Sequence, residues 1–305
     1  MTLNELRYVV TLAEEQHFGR AAEKCFVSQP TLSIAIKKLE QELDVSLFER
    51  TRNQVCLTPV GQQIAQQARK VLSGALEIKQ LATQGQDQLA SPLKVGAILT
   101  VGPYLFPFCI PQLRAIAPKM PLVIEENYTA VLRKQLRDGA LDVIIIALPF
   151  SEPDVIVEPL YDERFVVLLP ADHPLTAKTE IVAGELADEN ILFLGGGHCF
   201  RDQVLAVDPV IQYSFEHRKE AMLGGEGSSI ETLRHMVASG LGITILPASA
   251  ADLSNYQAGM LEVRPFTAPE PTRTIALAYR ASFTRREAVM ALKQAALLCP
   301  LNKPQ

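Results

Sequence analysis

The chain has 305 residues, 48% of them hydrophobic and 21% charged, the balance of a soluble globular protein too long for one ordinary core, so two or three domains are expected. Its longest clear apolar run, "DVIIIALPF" (142–150), falls short of the ~18 residues of a membrane span, and the charged, periodic N-terminus lacks a signal-peptide pattern; a cytoplasmic protein without a membrane partner is expected. Net charge is −5, which argues against a general nucleic-acid binder, but residues 1–90 carry 10 Lys+Arg against 10 Asp+Glu and leave 19 against 24 for the rest, a neutral head on an acidic body.

Along the head, Leu3, Leu6, Val9 or Val10 and Ala13 recur at helical spacing. A second short helix, "GRAAEKC", sets Ala21, Ala22 and Cys25 on one side. The run "VSQPTLSIAIKKLEQEL" then offers Ser28 as an N-cap and Pro30 for the first turn, where a missing N–H costs nothing. Leu32, Ile36, Leu39 and Leu43 form its apolar stripe, leaving Gln29, Thr31, Ser33, Lys37 and Lys38 outside. That is a helix-turn-helix pattern: amides and hydroxyls can read base edges while lysines hold phosphates. A helical pair with an ordinary solvated face is the competing reading. "FERTRNQVCLTPVG" adds two short strand-like pieces with Arg50 and Arg52 around Asn53, a basic wing for the DNA backbone or minor groove.

Pro59 opens a long helix to about Gln84, with Ile64, Ala68, Val71, Ala75, Ile78 and Ala82 as a heptad seam that Leu72, Leu76 and Leu81 widen. Such a seam is best buried against a second copy, although it could also lie on its own domain. "GQDQLASP" closes the segment as a linker. The order "FGRAAEKCFVSQPTLSIAIKKLEQELDVSLFERTRNQVCLTPVG" resembles the winged helix-turn-helix of LysR-type transcriptional regulators. The resemblance implies double-stranded DNA as partner, self-association as dimer or tetramer, and contact with RNA polymerase.

Beyond the linker, strand-like runs ("LKVGAIL", "LVIEEN", "DVIIIAL", "RFVVLLP", "ENILFLG", "GITILP", "LEVRPF", "TRTIALAYR") alternate with helical ones near 104–116, 130–138 and 229–239 and before Cys299. Ser228 and Glu231 read as a capping box and Gly240 as a helix stop. Alternating βα units predict parallel sheets covered by helices, in two lobes with a cleft between them. The expected fold is thus an N-terminal all-α winged helix-turn-helix (1–58), a dimerisation helix (59–90) and a C-terminal α/β two-lobed effector domain resembling periplasmic binding proteins. Lobe one would span 91–162 and 268–305, and lobe two 163–267.

No hydrolase or kinase motif appears; "GGEGSS" (224–229) suits a turn and a helix cap. The histidines show no metal spacing (His173 in a polar loop, His217 and His235 on surface or helix), so neither metal nor cofactor is expected, nor an enzyme. The five cysteines are far apart, form no CxxC, and in odd number argue against a disulfide framework.

Cys199, in "GGGHCFRD", stands out. A strand runs into a glycine turn and a helix starts at the cysteine, with His198 and Arg201 near enough to supply donors or charge and Asp202 to orient one of them. The competing reading is a small apolar residue packed behind a turn. "GGHCFRDQ", "TVGPYL", "LRHMVASGLGITILP" and "TRTIALAYR" resemble the peroxide-sensing members of the LysR-type family. The resemblance makes Cys199 the thiol that hydrogen peroxide oxidises, and Thr100, Thr129, His198, Arg201, Asp202 and Arg273 the residues that bind peroxide or activate the thiol. In those relatives a second cysteine, nine residues on, closes a disulfide. Here that position is Asp208, which cannot resolve a sulfenic acid as a thiol does. Cys109, among apolar residues, reads as a core thiol. A small organic effector in the cleft, a thiol peroxidase and a solute-binding protein are the alternative functions.

Overall fold

The computed structural model describes residues 1–50, 55–82, 88–218, 226–254, 256 and 259–302. The chain divides into two compact units, Met1–Gly85 and Gln86–Gln305.

In the first unit, α1 (Leu3–Glu15) starts at a capping box in which the Thr2 hydroxyl accepts from the Glu5 N–H and the Glu5 carboxylate accepts from the Thr2 N–H. Helix α2 (Phe18–Lys24) leads through a tight turn to α3 (Gln29–Leu43), capped by Ser28, whose Oγ accepts from the Thr31 N–H at 3.3 Å. Val9, Leu12, Ala21, Ala22, Leu32, Ile36 and Leu39 form the core. Leu43, in the last turn of α3, does not join it and is 36% exposed. An antiparallel hairpin, β1 (Phe48–Arg50) and β2 (Val55–Leu57), forms the wing, so the head is not all helical.

Helix α4 (Pro59–Ala82) divides its seam. Ala68 and Leu72 pack on Leu6 and Val10 of α1, so the proximal half is covered within the chain. Farther on, Val71 and Ile78 are 41% and 68% exposed. The side chains of Leu76, Leu81 and Ala82 lie outside the described residues.

The second unit contains β3 (Leu93–Ile98), α5 (Gly102–Ile116), β4 (Leu122–Asn127), α6 (Thr129–Arg137), β5 (Val143–Ala147) and β6 (Val155–Pro170). It continues with β7 (Ile191–Leu194), α7 (Cys199–Leu205), α8 (Pro209–Arg218), β8 (Glu226–Gly227), α9 (Ile230–Ala238), β9 (Ile243–Pro247), β10 (Leu261–Pro265), β11 (Thr272–Arg280) and α10 (Arg286–Leu297). The spatial strand order is β4-β3-β5-β11-β6-β9-β7-β8, with β10 on β6.

The sheet is mixed, where βα alternation predicts parallel pairing. β3 is parallel to β4 and β5, but β11 runs antiparallel to β5 and β6, and β6 antiparallel to β9 and β10. The reason is β6 itself: it is one long strand, of which the sequence reading found only the second half. Its first half pairs with β11 beside one core and its second half with β9 and β10 beside another. One core gathers Leu93–Leu160 with Ile275–Cys299, the other Phe165–Phe266. A chain that crosses between lobes on β6 and returns on β11 must run antiparallel to itself there. Helix α8 is a further difference, since "PVIQYSFEHR" lacks a clear apolar stripe.

Candidate functional site

Four short segments meet at Cys199. The hydrophobic β7 ends in glycines, of which Gly197 has φ +96° and would set a Cβ 3.3 Å from the Tyr128 ring. Only glycine turns the chain there without displacing that ring. His198 follows as N-cap of α7 and Cys199 as its first residue. Although rooted in lobe two, Cys199 packs against the lobe-one core and is half-buried.

From lobe one come Ile98 at the end of β3 with Leu99 and Thr100 after it, and Asn127 at the end of β4 with Tyr128 and Thr129 leading into α6. With Gly197, His198 and Cys199 they enclose a cavity of about 10 Å³, roughly the space that one water-sized molecule requires. The sequence-expected Thr100, Thr129, His198 and Cys199 are therefore brought together.

Two hydroxyls face this cavity in different states. Thr100 Oγ1 accepts from Arg273 Nη1 at 2.9 Å, and the Thr100 carbonyl accepts from Arg273 Nη2 at 2.8 Å. With its oxygen occupied as acceptor, the Thr100 hydroxyl keeps its own proton for donation. Thr129 Oγ1 is buried and has no hydrogen-bond partner among the described residues.

His198 donates from Nε2 to the Ser228 carbonyl (3.2 Å) and meets Tyr128 edge-on at 4.8 Å. Burial, and beyond it the charge of Arg201, holds its pKa below the usual histidine value, against the pull of the Ser228 carbonyl. The ring is neutral at pH 7, and with Nε2–H committed its Nδ1 is an acceptor. It supplies no positive charge. Ser228 is thus a contact and not the helix cap; Ser229 caps α9, accepting from the Thr232 N–H at 3.1 Å.

The arginines are also not bare cations. Arg273 pairs with Glu163, Nη2 to Oε2 at 2.7 Å, with both side chains almost wholly buried, and stacks over Phe200 at 5.0 Å. Arg201 turns to Glu226 (3.5 Å) and the Phe215 ring (5.8 Å). Asp202 is 79% exposed and, among the described residues, its carboxylate reaches only Arg201 Nε, at 3.9 Å, so it does not orient His198. Each guanidinium near the site is accompanied by a carboxylate, and the cavity is lined by dipoles rather than free charge. Glu163 and Tyr128 escaped the sequence reading, and Ser228 was read only as a helix cap, because no local pattern shows which remote segments meet "GGGHCFRD" in space.

Asp208 has a local role. Its Oδ1 accepts from the Val210 N–H at 2.8 Å and its carbonyl from the Ile211 N–H at 3.0 Å, the contacts of an N-cap for α8. A second cavity, of about 710 Å³, is lined by Leu148, Phe150, Phe165, Gln203, Arg273 and Thr274 among others; it shares Arg273 with the site, and Cys199 is not part of its wall.

In the head, Gln29, Thr31, Lys37 and Lys38 are exposed on α3 and Ser33 is half-buried. Pro30 sits in the first turn, and the Ser28 hydroxyl is engaged by the cap and by Thr31 Oγ1 at 2.7 Å. Lys38 reaches Glu5 at 3.7 Å, leaving Lys37 the less encumbered cation. Phe26, in the turn before α3, has φ +56° and is 95% exposed, a feature that no spacing rule would flag. The Arg50 side chain, Arg52 and Asn53 lie outside the described residues, as do Gly224, Gly225 and the His217 side chain. No cluster of metal-ligating side chains occurs among the described residues, and no described helix is long and apolar enough to cross a membrane.

Residues 3–62 match the bacterial regulatory helix-turn-helix protein model of the lysR family, and residues 86–297 match the LysR substrate binding domain. The DNA-binding transcriptional dual regulator OxyR of Escherichia coli K12 is 42% identical over 92% of this chain and 90% of its own. Among solved structures, full-length Pseudomonas aeruginosa OxyR in a Cys-to-Asp mutant form is 58% identical, with a TM-score of 0.74 over 100% of this chain and 97% of that one. A hydrogen-peroxide-bound mutant of Corynebacterium glutamicum OxyR is 34% identical, with a TM-score of 0.63 over 97% and 91%.

Proposed function

The chain belongs to the LysR family of bacterial regulators, and we propose that it is a DNA-binding activator of oxidative-stress genes switched by hydrogen peroxide at Cys199. The observation that carries this reading is the cluster itself: a half-buried thiol, two threonine hydroxyls and a histidine gathered around one small cavity.

In the proposed step, peroxide sits between Thr100 and Thr129, whose O–H groups donate to its oxygens. The Cys199 sulfur, as thiolate, attacks one oxygen and the O–O bond breaks. The departing hydroxide takes up a proton and leaves as water, and Cys199 becomes a sulfenic acid. His198 Nδ1 is a suitable acceptor for the thiol proton, and Arg273 acts through Thr100 by holding it in place. Arg201 and Asp202 stand farther back and tune the local field.

The α3 face would enter the major groove, with Gln29, Thr31 and Ser33 at base edges, Lys37 and Lys38 on phosphates, and Arg50 and Arg52 on the wing. The exposed Val71 and Ile78 would seal against a second copy, giving a dimer or a tetramer. RNA polymerase is the further partner that an activator requires. As a sensor the protein consumes one peroxide per oxidised thiol and is not a turnover enzyme. The test is one equivalent of peroxide, a sulfenate trap and mass spectrometry, with operator DNA affinity measured before and after. Trapping at Cys199 and altered DNA binding are expected; an unmodified Cys199 overturns the reading.

A further inference from the structure

Away from that site, a second sulfur pair lies deep in lobe one. Cys109, on α5, and Cys299, just past the end of α10, are 1% and 3% exposed in the same core. Helix α5 packs directly on α10, and the Cys109 thiol is hydrogen-bonded to Cys299. Cys299 Sγ in turn donates to the Ala295 carbonyl at 3.3 Å, and its N–H donates to the Ala296 carbonyl at 3.2 Å. The result is a directed chain, from the Cys109 S–H to the Cys299 sulfur and from the Cys299 S–H to a backbone oxygen. The 189 positions between the two cysteines hid this pair from any spacing rule.

We propose that Cys109 and Cys299 are a second oxidation site, a dithiol that hydrogen peroxide converts to a disulfide joining α5 to the end of α10. The two sulfurs differ in character. Donation from Cys109 holds the Cys299 thiol below its ordinary pKa, whereas the same bond and burial push the Cys109 thiol up. Cys299 is therefore the attacking sulfur and Cys109 the resolving one. Access comes at the end of α10, where Leu297 and Leu298 are already exposed and a frayed helix end opens at low cost.

The Cys299 thiolate attacks one peroxide oxygen, the O–O bond breaks, and the released hydroxide combines with the proton that Cys299 gave up. The Cys109 sulfur then attacks the Cys299 sulfenic sulfur, an S–S bond forms, and the second hydroxide leaves with the Cys109 proton as water. Two thiols are oxidised by two electrons and one peroxide is reduced to two waters. Closing the bond requires the two sulfurs to approach to the ~2.05 Å of a disulfide, which the packing of α5 on α10 favours. Cys199 takes no part. A chain with Asp208 in place of a partner thiol for Cys199 thus still holds one pair able to end in a disulfide.

The test uses the full-length Cys199→Ser variant, which keeps four of the five cysteines. After exposure to a modest excess of hydrogen peroxide and removal of the oxidant, thiols are titrated under denaturing conditions and the protein is mapped without reduction. The expected result is a fall from four thiols to two and a Cys109–Cys299 cross-linked peptide that disappears on reduction. In the Cys199→Ser/Cys109→Ser variant the peptide should vanish and Cys299 should stop at sulfenic or sulfinic acid. Four intact thiols, or thiol loss that maps to other residues, overturns the proposal. The sensor reading at Cys199 is tested in the wild-type chain and stands or falls separately.

Discussion

The guanidinium of Arg273 holds Thr100 at two points, the hydroxyl at 2.9 Å and the carbonyl at 2.8 Å, while its other edge lies on Glu163 at 2.7 Å. One buried cation thereby connects the strand that crosses between the lobes with the loop that faces Cys199. Replacing Arg273 with Met leaves the buried Glu163 carboxylate unpaired, and a loss of about 3–5 kcal/mol in urea unfolding is expected. Adding Glu163→Gln should recover most of that loss. Peroxide reactivity of Cys199 should stay depressed in both variants, because neither restores the grip on Thr100. Full recovery of rate in the double variant would contradict the positioning role.

Thr129 offers the opposite case. Its buried hydroxyl has no partner among the described residues, so Thr129→Val removes no internal hydrogen bond. Stability should stay within roughly 1 kcal/mol of wild type. Oxidation of Cys199, followed by stopped flow, should slow by about 10–100-fold if that hydroxyl donates to the breaking O–O bond. An unchanged rate would remove Thr129 from the reaction.

Asp208 has exchanged a possible thiol for a helix cap. Asp208→Ala should cost about 1 kcal/mol through the lost cap of α8, measured by thermal or urea unfolding. Asp208→Cys should lose a similar amount yet gain a peroxide-induced disulfide between Cys199 and the introduced thiol, visible as a cross-linked peptide. If Asp208→Ala proves neutral, the cap contributes nothing measurable.

His198 makes the site sensitive to acid. Its folded pKa lies below the unfolded value of about 6.5, so the unfolded chain binds the extra proton more readily. Stability from this group is fully present above pH ~6.5 and is lost as pH falls through the folded pKa. Buried Asp142, whose pKa burial raises, acts with the opposite sign at lower pH. The difference between wild type and His198→Gln therefore isolates the histidine: wild type should lose more stability between pH 7 and 5.5. Parallel curves would assign the acid response elsewhere.

Local pattern made much of this molecule legible. Ser28 as a cap, the Leu32–Ile36–Leu39 stripe and the outward Gln29, Thr31 and Lys37 follow from a 3.6-residue period, which short-range sterics enforce whatever lies beyond. Resemblance, more than spacing, singled out Thr100, Thr129 and His198 with Cys199. It did not reveal that Ser229 and not Ser228 caps α9, because adjacent serines can each serve as an N-cap and only the backbone path into the helix chooses between them.

The chain's own order of residues was enough to define a DNA-reading head, an alternating α/β body and one exceptional cysteine. It could not define the charge around that cysteine, since Glu163, Glu226 and the Ser228 carbonyl arrive from segments far along the chain. Nor could it pair Cys109 with Cys299, or run β6 through both lobes. Coulombic and hydrogen-bond energies depend on distance in space, and distance in space between remote segments is set only when the cores close.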